Sequence, residues 1–340
     1  MFDYLQHAKD YGIVVESAKP DFSAMISRSR NVAEGMSKGV QFLMKKNKIQ
    51  VILGTAVFEN SKTVQVKTKE GSQEKYTADH IIIATGGRAK QLPNLPIDGK
   101  HIIDYRKAMT LEKMPKRMVI VGAGAIGVEF AYFYNSIGTE VHIVEFMEQG
   151  LVPREDVDVS KELNKSFKKN GIQTYANTSV EQVQVKKSGV EVSIKNRSDG
   201  KTGLLECDIV LSAAGVTPNT ENIGLEAIGV KMEKSYVIVD AMYKTNVAGV
   251  YAIGDIVPGP ALAHVASAEG IVCVENICGV HTEAIDYNNV PGCTYCSPEI
   301  ASVGYTEAAA KAAGYEILVG KFPFSASGKA SAAGAKDGFV

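Results

Sequence analysis

The chain has 340 residues, with 37 Lys+Arg against 38 Asp+Glu and a formal net charge of −1; at about 150 residues per domain, two or three domains are expected. That balance gives no electrostatic reason to bind nucleic acid or an anionic membrane, and no apolar run approaches the ~18 residues that a spanning helix needs. Five cysteines, an odd count in a long chain, argue against a disulfide scaffold and for a reducing compartment, and the opening residues lack the basic and apolar regions of a signal peptide.

Tyr11-Gly12 reads as a stop after a short mixed opening. From Asp21 the pattern is helical. Phe22, Met25, Ile26, Ser29, Val32, Met36, Val40 and Leu43 recur every three or four residues, and Asp21 is placed to cap the start. Gly35 and Gly39 sit one turn apart inside that helix, each costing roughly 1 kcal/mol against Ala, so close packing against a neighbour is expected there. The period then drops to two: 49–53, 63–66 and 80–84 read as strands, with a hairpin turn at Gly71-Ser72. Residues 88–117, with three prolines, read as a connector.

A second unit opens at Arg117. Met118 to Val121 is a buried strand, residues 125–137 a helix stopped by Gly138, 140–145 a strand, and 159–169 a helix stopped by Asn170-Gly171. Short strands follow at 172–175, 180–186, 190–194 and 207–213. The alternation predicts a parallel sheet with an antiparallel excursion. Strands are also expected within 236–254, near 300–303 and at 316–322, with helices at about 262–278 and 306–313. The abrupt ending at Gly338-Phe339-Val340 reads as a cut through a domain.

The strongest local signal is Gly122-Ala123-Gly124-Ala125-Ile126-Gly127, entered by an apolar strand and left by an amphipathic helix. Gly122 permits the tight turn, Gly124 lets a pyrophosphate approach the backbone, and Gly127 lets the helix pack on the sheet. The helix N-terminus offers N–H groups and positive partial charge to phosphate. Glu145, 18 residues past Gly127, is placed to accept hydrogen bonds from an adenosine ribose and to repel a 2′-phosphate, which favours NAD over NADP. Cys293-Thr294-Tyr295-Cys296 has a redox or zinc spacing, yet no second such pair accompanies it; a structural role is expected and no metal site is assigned. Cys273 and Cys278 read as core thiols, and His264 as a backbone-oriented residue rather than a general base.

Two other segments, Ile81 to Gly87 and Thr245 to Asp255, read singly as ordinary strand-turns. In order along the chain stand Ala84-Thr85-Gly86, the glycine-rich turn with Glu129, Ala213-Ala214-Gly215 and Gly254-Asp255. On these residues the whole chain resembles the flavoprotein pyridine nucleotide-disulfide oxidoreductases. Within them it is most similar to the dihydrolipoamide dehydrogenases, through Gly122 to Glu129, Ala261-Leu262-Ala263-His264, Pro298 to Gly304 and Val319 to Phe324.

The resemblance implies an α/β fold: two Rossmann-like FAD/NAD-binding domains, three-layered with a parallel sheet and an antiparallel excursion, plus the start of an α+β interface domain. It implies a partial, discontinuous FAD-binding domain at 1–116 and 236–285, an NAD-binding domain at 117–235, and an interface or dimerisation domain at 286–340. For NAD it implies Gly122, Ala123, Gly124, Ala125, Ile126, Gly127, Val128, Glu129, Glu145, Val180 and Gly215. For FAD it implies Ala56, Thr85, Gly86, Gly87, Asp255, Ala261, Leu262, Ala263 and His264. Glu129 would stand near the flavin–nicotinamide junction, paired with a lysine.

The implied activity is oxidation of dihydrolipoyl groups through an enzyme disulfide and FAD to NAD+. The implied partners are lipoyl domains of 2-oxoacid dehydrogenase complexes and a second copy in a homodimer, in the cytoplasm. The family's first βαβ unit, its Cys-x4-Cys pair and its His-Glu base are not expected here, and cysteines 207, 273, 278, 293 and 296 are not expected to supply that pair. This chain alone therefore reads as catalytically incomplete, with an uncovered sheet edge and poor solubility. Other FAD/NAD(P) disulfide reductases or an NADH oxidase of the superfamily are the alternative, with Glu145 arguing against NADPH users. From a different class, the alternative is a non-catalytic NAD-binding scaffold.

Overall fold

The computed structural model describes residues 2–340 and divides into two compact units. One gathers the chain up to Glu34, Ala89–Gly215 and Pro291–Val340; the other gathers Gly35–Arg88 and Val216–Val290. The contacts thus group the chain differently from the expected edges. Residues 89–116 join the glycine-turn unit because Ile102–Ile103 is a strand of its sheet, paired in parallel with Val210 and Leu211. Residues 216–235 join the other unit because Leu225 and Val230 share a core with Phe58.

The first unit is built on a five-stranded, all-parallel sheet. In spatial order its strands are Ile102–Ile103, Ile209–Ser212, Arg117–Val121, Glu140–Val144 and Gln173–Tyr175. Met118, Val119 and Ile120 are wholly buried, as a central parallel strand covered on both faces requires. Helix Ala125–Ser136 turns Val128, Ala131 and Tyr134 into one core and stops at Gly138 with φ +108°. Helix Val157–Lys169 buries Ser160, Leu163, Ser166 and Phe167 and stops at Gly171 with φ +81°. On the opposite face lies the antiparallel excursion Thr178–Lys186, Gly189–Asn196 and Thr202–Cys207, whose Val180, Val190, Val192 and Ile194 pack with Val119, Val121 and Val144. The 291–340 segment belongs here too. Cys296 and Ile300 pack into the helix-side core, and Tyr295 N–H donates to Glu129 Oε1 at 2.8 Å.

The second unit holds a three-stranded antiparallel meander, Thr55–Asn60, Thr63–Lys67 and Gln73–Thr77. Beside it in sequence Ile81–Ile83 pairs in parallel with Val250–Ala252, the register setting Ile83 opposite Ala252. Helix Ala263–Ile277 follows, and Phe58, Ile83, Leu225, Val250 and Ile256 fill the core.

Several expectations are corrected. Residues 49–53 form no strand: Ile49, Val51, Ile52 and Leu53 are exposed, and among the described residues no strand pairs with them. Alternation makes a strand only where a neighbour takes up its backbone N–H and C=O groups. Residues 316–321 likewise form no strand, with Leu318 fully exposed, and Phe322 exchanges backbone bonds with Val340 without becoming part of one. Within 236–254 only Tyr236–Val237 and Val250–Ala252 are strands. Helix Phe22–Lys46 forms with Asp21 accepting the Ala24 N–H at 2.9 Å. A Cβ at Gly35 or Gly39 would meet nothing within 4 Å, however, and Met36, Val40 and Phe42 are exposed, so among the described residues no neighbour packs on those glycines. Cys273 is buried, but Cys278, at the helix C-cap, is exposed.

Candidate dinucleotide-binding sites

The glycine-rich turn joins strand Arg117–Val121 to helix Ala125–Ser136, and its three glycines do three different things. Gly122 has φ +105°, and a Cβ there would lie 2.4 Å from Ala213 O. Gly127 brings the helix so close that a Cβ would stand 2.0 Å from Gly122 O. Around Gly124 a Cβ would meet nothing within 4 Å, so this side of the turn is open. Gly124 is also the helix N-cap and, having no side chain, leaves the first-turn N–H groups without a side-chain acceptor. An open backbone surface facing uncapped helical N–H groups is the chemistry a pyrophosphate requires.

Glu145 follows directly on strand Glu140–Val144 and is buried. Its Oε2 accepts the Ala123 N–H at 2.6 Å and its Oε1 the Met147 N–H at 2.8 Å. The acid is thereby locked against the turn, with lone pairs left over for other donors. It also lines a cavity of ≈160 Å³ together with Gln149, Asn164, Lys168, Thr174 and Tyr175. Phe146, half exposed, carries the Arg197 guanidinium 3.8 Å from its ring centroid, and Arg197 Nη1 donates to Phe146 O at 3.1 Å. Sequence reading missed Arg197; its place beside the acid comes from the antiparallel excursion and has no local signal. Val180 packs with Val121 and Val144, which end the two strands below the turn, and its carbonyl takes the Asn94 side-chain amide. Gly215, φ +104°, lies two residues beyond Ala213, and its carbonyl accepts the Lys90 N–H at 3.0 Å.

The residues expected at FAD fall in the second unit. Gly86 has φ +67° at the end of strand Ile81–Ile83, and Thr85 Oγ1 donates to Asn219 O at 2.6 Å. A Cβ on Gly87 would come 3.3 Å from Asp255 Oδ2, so the strand end and this carboxylate face each other. Asp255 sits in the 3-10 turn Gly254–Ile256 that follows strand Val250–Ala252. Ala261 and Leu262 precede helix Ala263–Ile277, whose first turn carries Ala263 and an exposed His264 and has no side-chain cap. Ala56 lies in the meander strand Thr55–Asn60, exposed. Paired parallel strands followed by small residues, an acid and a helix start with no side-chain cap are a strand-end arrangement able to receive a phosphate-bearing ligand.

The thiols show no redox geometry. Burial, aided by Glu129, pushes the Cys296 thiol up to about 12, the reverse of the lowered value an attacking thiolate needs, while Cys293 is exposed. Cys273 and Cys278 do have four residues between them. Five positions along a helix turn by about 140°, however, and one thiol is buried while the other is exposed. Among the described residues no cluster of His, Cys, Asp and Glu is placed to hold a metal.

Comparison with known proteins places this architecture. Residues 5–270 match the model of the pyridine nucleotide-disulphide oxidoreductases, and residues 290–340 that family's dimerisation domain. The dihydrolipoyl dehydrogenase of Rhizobium etli is 44% identical over 356 residues, matching 100% of this chain and 74% of its own length. That of Zymomonas mobilis is 43% identical, with 100% of this chain and 73% of its own length matched. Among solved structures, LpdA from Mycobacterium tuberculosis aligns at a TM-score of 0.89 with 26% identity, covering 99% of this chain and 73% of that one. The HOCl-induced flavoprotein disulfide reductase RclA from Escherichia coli aligns at 0.83 with 25% identity, over 99% and 74%. With a family model spanning most of its length and relatives above two-fifths identity, the chain belongs to the pyridine nucleotide-disulphide oxidoreductase family.

Proposed function

We propose that this chain is the nucleotide-binding body of a dihydrolipoyl dehydrogenase, in which two electrons pass from a dihydrolipoyl dithiol to NAD+. The observation that carries the reading is the open side of Gly124 between two glycines that are closed, with Glu145 locked beside it. Bound FAD supplies the two-electron relay and bound NAD the hydride acceptor; the protein's part is to hold and orient both. The N–H groups of Gly124 to Gly127 neutralise the NAD pyrophosphate, and Glu145 accepts the adenosine ribose hydroxyls and repels a 2′-phosphate. Thr85 to Gly87, Asp255 and the helix start at Ala261 to His264 hold FAD, with Ala56 nearby in the same unit. Val180 and Gly215 lie along the same cofactor as Glu145, and Glu129 stands near the flavin–nicotinamide junction.

The dimerisation-domain match at 290–340 supports a homodimer. The dihydrolipoyl dehydrogenases among its relatives support lipoyl domains of 2-oxoacid dehydrogenase complexes as partners. Among the described residues no helix is long and apolar enough to cross a membrane, and a cytoplasmic setting suits a chain whose five cysteines are free.

The test reads nucleotide binding rather than turnover. Titration with NADH, followed by its fluorescence, should saturate, and NADPH should bind at least about tenfold more weakly, a difference of about 1.4 kcal/mol. Gly124→Val fills the open side and should abolish the NADH signal without lowering the melting temperature. A variant that binds NADH as the parent does would overturn the assignment.

A further inference from the structure

Glu269 is a carboxyl-bearing residue only 1% exposed, in the middle of helix Ala263–Ile277, and the reaction as proposed makes no use of it. Burying such a group is costly unless its oxygens are bonded. Both are. Oε2 accepts the Gly254 N–H at 2.5 Å, and Oε1 accepts the Tyr287 hydroxyl at 2.7 Å. Tyr287 in turn meets the Tyr243 hydroxyl at 3.1 Å, and Tyr243 is itself buried. The Tyr287 hydroxyl is held in its protonated, donating form by burial and by its bonds to Tyr243 and Glu269, which raise its pKa above the ordinary 10.0.

The far end of this chain of bonds is the turn that carries Asp255. Gly254 has φ +74°, a left-handed conformation that favours glycine, and its N–H faces the helix. The same helix face closes on that turn. A Cβ at Gly254 would stand 3.3 Å from the Ala266 Cβ, and one at Gly270 3.4 Å from Ile253 Cδ1, so positions 266, 269 and 270 meet residues 253–254 together. On the strand side Ile253 N–H donates to Ile83 O at 3.0 Å. Residues 253–254 are therefore pinned from both sides, and on the helix side the Gly254 N–H is bonded to a buried acid.

We propose that Glu269 is a positioning residue for the flavin cradle: braced by Tyr287 and Tyr243, it holds the Gly254 N–H and so aims the Asp255 carboxylate toward Gly86–Gly87. The proposal rests on the reading of Asp255 as an FAD ligand. Aspartate alone at the end of a strand samples many directions; a bonded N–H one residue before it removes most of them.

The experiment measures FAD affinity and the visible flavin spectrum of the holoprotein, with melting temperature and NADH affinity as controls. Glu269→Leu removes the acceptor at similar volume and should weaken FAD at least tenfold and shift the flavin bands, with NADH affinity unchanged. Glu269→Gln keeps an acceptor for Gly254 and should stay within about threefold of the parent. FAD affinity and spectrum unchanged in Glu269→Leu would overturn the proposal, as would a Gln variant as weak as the Leu variant with a lowered melting temperature, which marks a packing role. Should Glu269→Leu not fold, Tyr287→Phe decides: FAD weakened by threefold or more at unchanged melting temperature supports the brace, and parental affinity overturns it. Asp255→Ala separates the two claims. If it leaves FAD affinity unchanged, the FAD reading of Asp255 falls; if it weakens FAD while Glu269→Leu does not, only the positioning role falls.

Discussion

A thiol placed in a core answers to its surroundings more than to its spacing in sequence. Cys207 and Cys296 are 2% and 3% exposed, and burial pushes both thiols from the ordinary 9.0 up to about 12. Between those values the folded protein keeps two protons that the unfolded chain releases, so this contribution to stability is full below pH 9 and is lost as pH rises toward 12. Each such group adds about 1.4 kcal/mol per pH unit to the slope. Urea unfolding measured from pH 8 to 11 should show stability falling above pH 9, with Cys207→Ala shallower by about one proton. An unchanged slope in that variant would contradict the assignment. The glycine-rich turn shows the opposite case, in which residue type alone carried the inference. The closed Gly122 and Gly127 and the open Gly124 each have the geometry that the strand-turn-helix pattern demands.

At the scale of elements, the helices were legible wherever a stripe of apolar residues met a capping signal. Helix Ala125–Ser136 is the clearest, and its tertiary anchor is Tyr134, whose wholly buried hydroxyl donates to Ala108 O at 2.6 Å. Burial raises the pKa of that hydroxyl, so it stays a donor through any ordinary pH. Tyr134→Phe leaves the Ala108 carbonyl unpaired in the core and should cost about 1–3 kcal/mol. Denaturant unfolding measures this, and a loss below about 0.5 kcal/mol would show that the carbonyl finds another partner. Strands were less legible. Residues 49–53 and 316–322 are rich in apolar residues but form no strand and are largely exposed, whereas Ile102–Ile103, two residues inside a proline-rich connector, is a strand of the main sheet. Helix periodicity is satisfied within the segment, by its own hydrogen bonds and one apolar face. A strand needs a partner supplied from elsewhere, and no local pattern reports whether that partner is there.

For the molecule as a whole, the two sets of residues proposed for the nucleotide sites sit in two compact units, each with its own core. The expected NAD residues all fall in the first, and the expected FAD residues all fall in the second. Hydrogen exchange should reflect this division. NADH should slow the amides of 122–128 and 145–147 and leave 85–87 and 254–264 unchanged in rate, and FAD should do the reverse. Protection of both sets by one nucleotide would refute the division. The chain spans about three-quarters of the length of the dihydrolipoyl dehydrogenases it matches. By itself, the sequence pointed to NAD through the glycine-rich turn and Glu145, a backbone requirement written in glycine and acid at fixed spacing, while the family, its fold and FAD were read from the resemblance carried by the order of the short motifs. Tertiary structure alone decided where the units divide, which thiols are buried, and that Arg197 stands beside Phe146 and Glu269 and Tyr287 beside the turn that carries Asp255. Those residues reach their places through strands and helices far away in sequence, and proximity of that kind leaves no trace in local spacing.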